Sequence, residues 1–305
     1  MLVAEPTPAH RAVTRWANAL IFVTVLLGAV VCATDSSSTC PAWPVCYADK
    51  VAPDLRPGLL ENPAIEFVHR FISFSALVLL GFSGRMGRRS PDVRVRVFPW
   101  AALLCGVGSA VFGMMIILFH LPLALGLLDL LFALIAMVLI AVTDAALRRD
   151  RTQARQPRIA RLIRTTLATL IVMHLLGSVV AGTTSAGTGS FTRCLSWPLW
   201  ALPAIDRFPA LQVVRIVLAA AALALIVWIV TLALRHRRLR LAALLVALAT
   251  AVEVVLGVVI SAGGLASTQN NGIHLPVAVA YAAAAVTIVW SLAWLLGLCR
   301  TVAKR

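Results

Sequence analysis

Cys40 and Cys46 bracket a short loop, Cys40-Pro-Ala-Trp-Pro-Val-Cys46, and further on Glu66 and His69 stand three positions apart in Glu66-Phe-Val-His69-Arg70. On a helix that spacing stacks the carboxylate and the imidazole on one face. An imidazole can ligate a metal, and a carboxylate beside it can take or give a proton. A glutamate in a first helical turn also complements the helix dipole, so spacing alone leaves both roles open for Glu66. Further ionisable residues lie inside apolar stretches: His120, Asp129, His174, Arg215, Glu253 and His274. In hydrocarbon such groups are costly and are functional candidates by default. His69, His120 and His274 each fall near the same end of their apolar runs. Two imidazoles facing each other between helices form the usual axial pair of a b-type haem. Zinc would want three or four ligands, and no such cluster is legible. The alternative is that each histidine only hydrogen-bonds a neighbouring helix. Asp129 and Glu253 are expected as interhelical hydrogen-bond partners, His174 as structural, and His10 and His236 as solvated.

The elements that must position these residues are membrane spans. The chain has 305 residues, 61% hydrophobic and 13% charged, with a mean hydropathy of +0.94. A soluble chain carries about 25% charged residues. A bilayer core takes about 20 apolar residues per helix, and eight runs of that kind are read, at residues 16–34, 67–84, 98–118, 120–146, 163–183, 211–234, 240–262 and 274–298. The net charge of +15 would suggest nucleic acid if it were spread over a soluble surface. Here most of the arginines cluster in the links after the second, fourth and sixth runs and at the termini, so topology explains the charge and no nucleic-acid partner is implied. The positive-inside rule puts both termini in the cytoplasm of a multi-pass plasma-membrane protein. No cleavable signal peptide is apparent, and Arg11 and Arg15 before the first run suit an uncleaved first helix.

That orientation places residues 35–66 outside the cytoplasm, where disulfides persist. Cys40–Cys46 is therefore expected as a bridge, with two unlinked thiols as the alternative. Cys32, Cys105 and Cys299 read as small hydrophobes, and Cys194 is left over.

The chain repeats itself. Leu26-Leu-Gly-Ala-Val-Val31 recurs as Leu175-Leu-Gly-Ser-Val-Val180, Cys40-Pro-Ala-Trp-Pro as Cys194-Leu-Ser-Trp-Pro198, and His120-Leu-Pro-Leu-Ala-Leu as His274-Leu-Pro-Val-Ala-Val. The fold class is thus an all-α integral membrane protein of eight transmembrane helices, arranged as two pseudo-symmetric four-helix bundles at residues 1–150 and 151–305, parallel about an axis along the membrane normal. In this register His69 and His120 form one site between helices, and Arg215 and His274 form its counterpart.

The cysteine loop, Ile65-Glu-Phe-Val-His-Arg70, and Gly106-Val-Gly-Ser-Ala-Val-Phe-Gly113 leading to His120 resemble the bacterial haem A synthases over nearly the whole chain. The resemblance implies oxidation of a methyl group of haem O to the formyl of haem A, for cytochrome oxidase biogenesis. It implies a substrate haem in the N-terminal half, ligated by His69 and His120 beside Glu66. It also implies a haem b cofactor in the C-terminal half, where only His274 matches, and an exoplasmic pair Cys40 and Cys46 that supports activity. The partners implied are haem O, the farnesyltransferase that produces it, membrane lipid and an unidentified electron acceptor. There are two departures. Arg215 stands where that family has a haem histidine, and Trp200 stands where a cysteine would partner Cys194. An arginine stays protonated and cannot ligate iron; it can pair with a propionate and leave His274 as sole ligand, or His174 can supply a deeper alternative. The alternatives are a non-catalytic haem-binding or oxidase-assembly paralogue and a b-type electron-transfer cytochrome. A transporter is disfavoured, because the polar residues sit at helix ends rather than at mid-depth.

Overall fold

The computed structural model describes residues 6–34, 36–54, 57–118, 123–148, 156–181, 209–262 and 275–299. Eight long helices carry the fold: α1 (Pro8–Thr34), α2 (Pro63–Gly87), α4 (Phe98–Leu118), α5 (Leu123–Arg148), α6 (Pro157–Ala181), α7 (Pro209–Leu234), α8 (Arg240–Ala262) and α9 (Leu275–Leu298). A single turn, α3 (Val93–Arg96), precedes α4, and a 3-10 turn, Ser36–Thr39, follows α1. All eight long helices are apolar and long enough to cross a membrane, and no strand occurs among the described residues. Their outer surface is hydrocarbon: Leu104, Phe74 and Phe71 are 72%, 68% and 65% exposed. A continuous apolar surface of this kind has only lipid as its solvent. The protein is a multi-pass membrane protein.

Helices α1, α2 and α6 begin earlier than their apolar runs suggest. Their first turns are polar on one side only, so hydropathy falls while the helix continues. His10 is the instructive case. Expected to be solvated, it is 5% exposed, with Thr14 bonded to Ser83 of α2 one turn away. Helix α2 starts at Pro63, whose missing N–H costs nothing in a first turn. Asn62 accepts from the Ala64 N–H at 3.0 Å as its N-cap.

Helix α1 packs on α2 and α5, as α6 packs on α7 and α9, and α4 packs on α2 and α5, as α8 packs on α7 and α9. The two sets meet along α5 and α9, with α1 also touching α9 and α6 touching α5. Polar bonds fasten this seam. Asn18 receives the Trp290 indole N–H at 3.0 Å and donates to Asp144 at 3.3 Å, and Asp144 pairs with Arg148 at 3.0 Å. Arg94 donates to the Cys299 carbonyl at 3.2 Å, a cation at the C-terminus of α9. The C-terminal ends of α2, α5 and α9 thus gather at one end of the bundle, opposite the cysteine loop.

Small residues set the helix spacing. A Cβ added at Gly297 of α9 would lie 2.5 Å from the Val142 carbonyl oxygen and 2.5 Å from the Ala145 Cβ of α5. The obstacle is largely backbone, so it cannot rotate away. Gly297→Val is expected to separate α5 from α9 and cost about 1–3 kcal/mol as an overpacked contact. The check is a lowered thermal midpoint in detergent, with Gly126→Val as the control, since a Cβ at Gly126 meets nothing within 4 Å.

Candidate functional site

The site is built where the 36–62 segment meets the first turns of α2. The segment is anchored before it reaches α2: Glu61 donates its N–H to the Thr34 carbonyl at 2.7 Å, and Thr34 and Ser36 share a hydrogen bond at 2.6 Å. Cys40 and Cys46 are disulfide-bonded, both are fully buried, and the Ala42 N–H donates to the Cys46 carbonyl at 3.1 Å. The loop is thereby closed into a tight ring whose carbonyls converge.

Arg70 fills that ring. Its Nη1 donates to the carbonyls of Ala42 at 2.5 Å and Val45 at 3.0 Å, and its Nη2 to that of Cys40 at 2.9 Å. Its Nε donates to Glu66 Oε1 at 2.8 Å, one helical turn back, and the two side chains are 11% and 8% exposed. One planar guanidinium therefore ties the disulfide loop to the carboxylate. Arginine suits the place because its donors form a rigid fork and its charge persists in a poorly hydrated setting. The sequence alone shows Arg70 only as the residue after His69. The usable signal was the i, i+4 spacing from Glu66, a standard ion-pair register.

His69 turns toward α1. Its Cε1 lies 3.6 Å from where a Cβ on Gly28 would stand, with the Thr24 backbone close to the ring. Its buried Nδ1 makes no hydrogen bond. Across the bundle, Asp129 of α5 lies within electrostatic reach of Glu66 and accepts a 2.5 Å hydrogen bond from Ser109 of α4. Its Oδ2 lies 4.0 Å from where a Cβ on Gly113 would be. Asp129 is thus an interhelical hydrogen-bond partner, and it also faces the site, which sequence reading did not foresee. The structure brings together Cys40, Cys46, Glu66, His69, Arg70 and Asp129. His120 lies outside the described residues.

These observations fit an iron-bearing macrocycle as a bound substrate. A buried imidazole with a ring nitrogen free of hydrogen bonds can serve as a metal ligand, and the Glu66–Arg70 pair stands beside it.

The family profile described as COX15-CtaA, cytochrome oxidase assembly protein, matches residues 4–141. Residues 4–141 are thus similar to that family. The match spans α1, α2, α4 and most of α5, so it includes every residue of the assembled site and His120. A comparison with curated proteins finds no match.

Arg215, Glu253 and His274 lie outside the matched residues. Arg215, on α7, is 1% exposed and donates from Nη1 to Gln212 Oε1 at 3.0 Å. His174 of α6 is buried, and its Nδ1 is paired with the Leu170 carbonyl at 2.6 Å. Glu253 corrects an expectation. Instead of bonding a neighbouring helix, it is 1% exposed, with neither carboxylate oxygen partnered among the described residues. Cys194 and His274 are outside the described residues, and so is Trp200. A haem b cofactor needs axial donors: among the described residues of the C-terminal half Arg215 offers iron no lone pair, His236 sits exposed in the turn between α7 and α8, and His174 is a buried imidazole whose Nδ1 is bonded to its own helix. Among the described residues no group of three or more His, Cys, Asp or Glu side chains is arranged to hold a metal ion.

Proposed function

We propose that this protein oxidises the methyl group of haem O to the formyl of haem A in the cell membrane, with the substrate held in the N-terminal half, residues 1–150. The observation that carries the reading is the buried, partnerless Nδ1 of His69, one position from the Glu66–Arg70 pair. His69 and His120 would be the axial ligands that fix the macrocycle. The net change, methyl plus water to formyl, releases four electrons and four protons in total, and the iron and macrocycle are what make a methyl group oxidisable. The protein's share is to orient the ring and to manage protons. Glu66, held by Arg70 on one oxygen, is placed to accept a proton or to balance positive charge developing at the methyl carbon. Asp129 offers a second carboxylate toward the bundle interior.

Haem O would come from the farnesyltransferase that makes it, and the electrons would go to an acceptor outside this chain. The termini would face the cytoplasm and the cysteine loop the outer side, supported by the arginine-rich links gathered at one end. The C-terminal half, residues 151–305, would be a degenerate counterpart of this unit, with His274 and Arg215 as its cofactor-haem positions.

The test is co-expression with a haem O supply, then extraction and chromatography of the haems. Conversion to haem A by the wild-type chain is expected, falling by about 100-fold or more in Glu66→Gln and in His69→Ala. Arg215 in the place of an axial histidine favours a second reading, a haem-binding assembly paralogue without catalysis. Bound haem O with no conversion by the wild-type chain would establish that reading instead.

A further inference from the structure

Two buried polar atoms stand without hydrogen-bond partners where α1 packs on α2, the Oγ1 of Thr24 and the Nδ1 of His69. Both belong to the same contact. The His69 ring lies against Gly28 of α1, and Thr24 stands one turn earlier on the same helix face with its backbone close to the ring. Thr24 also departs from what the other helical hydroxyls do. A hydroxyl inside a helix can donate to the carbonyl four residues back. Thr34, Ser73, Thr166 and Thr250 do so, at 2.8, 2.6, 2.9 and 2.8 Å. Thr24 makes no such bond, so its hydroxyl is unspent on the face of α1 that His69 meets.

Leaving a buried hydroxyl and a buried ring nitrogen unpaired is costly, and native structures keep few such groups without a reason. An imidazole that ligates a metal gives it one ring nitrogen and keeps a proton on the other. That second N–H usually finds an acceptor, which fixes the ring and raises its basicity. We propose that Thr24 is the positioning residue for His69, its Oγ1 accepting the N–H of the ring nitrogen that His69 does not give to iron. The threonine hydroxyl proton then turns to the Leu20 carbonyl, four residues back. Threonine has two accessible rotamers in a helix, so the change needs one χ1 rotation. Both orphaned atoms have partners in that state, whichever ring nitrogen meets the iron. The inference rests on the reading of His69 as an axial ligand.

The test titrates the purified full-length chain in detergent with haemin and reads the difference between wild type and His69→Ala, so that only haem held by His69 counts. Thr24→Val keeps the shape and removes the hydroxyl. It should weaken that binding by about tenfold or more and raise the midpoint potential of the bound haem, because a less basic imidazole stabilises ferric iron less. Thr24→Ser should keep the wild-type potential and an affinity within about threefold. Without haemin, Thr24→Val should melt no lower than wild type, since it removes an unpaired hydroxyl. A merely structural threonine would lower the melt and leave the potential unchanged. In the His69→Ala background, Thr24→Val should change nothing further. Wild-type affinity and potential in Thr24→Val, or an equal loss with and without His69, would overturn the role of Thr24 and leave His69 as a ligand. Haemin binding that His69→Ala does not weaken would overturn the axial-ligand reading and this inference with it.

Discussion

Arg70→Lys is expected to lower haem O conversion by about 100-fold while leaving the protein in the membrane, because it misplaces Glu66 rather than removing it. The guanidinium makes four hydrogen bonds from one plane, three to carbonyls of the disulfide loop and one to Glu66. A lysine keeps the charge but carries its three donors on one atom at the end of a flexible stem. It can satisfy the carbonyls or the carboxylate, not both sets in the present geometry. Arg70→Met is the harsher change. It leaves a carboxylate 8% exposed and the loop carbonyls without their donor, and breaking a buried pair in this way costs about 3–5 kcal/mol. The two variants separate the roles. In Arg70→Lys, conversion should collapse while the thermal midpoint falls only modestly, whereas in Arg70→Met both should fall. If Arg70→Lys converts haem O at the wild-type rate, the seat in the loop does not position Glu66 for catalysis.

How much of this was legible beforehand depended on whether the signal was local. Eight spans, the bridge between Cys40 and Cys46 and the Glu66–His69 pair follow from composition and spacing. The fan of bonds around Arg70 does not, because its acceptors are main-chain carbonyls, and their direction is set by ring closure and by the anchoring of residues 34–62 rather than by residue type. Asp129 was read correctly as an interhelical partner, but its approach to Glu66 depends on how α4 and α5 pack against α2. His10 shows the opposite failure. The apolar run begins at residue 16, yet His10 and Thr14 before it are buried, with Thr14 bonded to Ser83 of α2. Glu253 shows why a pattern of helical spacing cannot replace the neighbours themselves. It was expected to bond across an interface, and neither of its oxygens has a partner among the described residues.

The cysteine pair and Arg70 are expected to act as one unit, and a double-mutant cycle tests that directly. Replacing both Cys40 and Cys46 by serine opens a ring with a sequence separation of six, worth about 2–3 kcal/mol on chain-entropy grounds. Its larger consequence is the loss of the carbonyl cup in which the guanidinium sits. Conversion should then fall about as far as in Arg70→Met. In the Arg70→Met background, opening the ring should cost little more, since the cup has no occupant left to orient. The coupling energy should therefore be large for residues in one network, about 1–3 kcal/mol. Additive losses would mean that the bridge and the guanidinium support the site independently. The same bridge reports the orientation of the chain. A membrane-impermeant phosphine added to sealed right-side-out vesicles should abolish conversion, and added to inverted vesicles it should not, because the cup is proposed to face the outer side. Sensitivity in inverted vesicles alone would reverse the topology. It would leave the link from disulfide to Arg70 to Glu66 intact, since that link rests on hydrogen bonds and not on which compartment the loop faces.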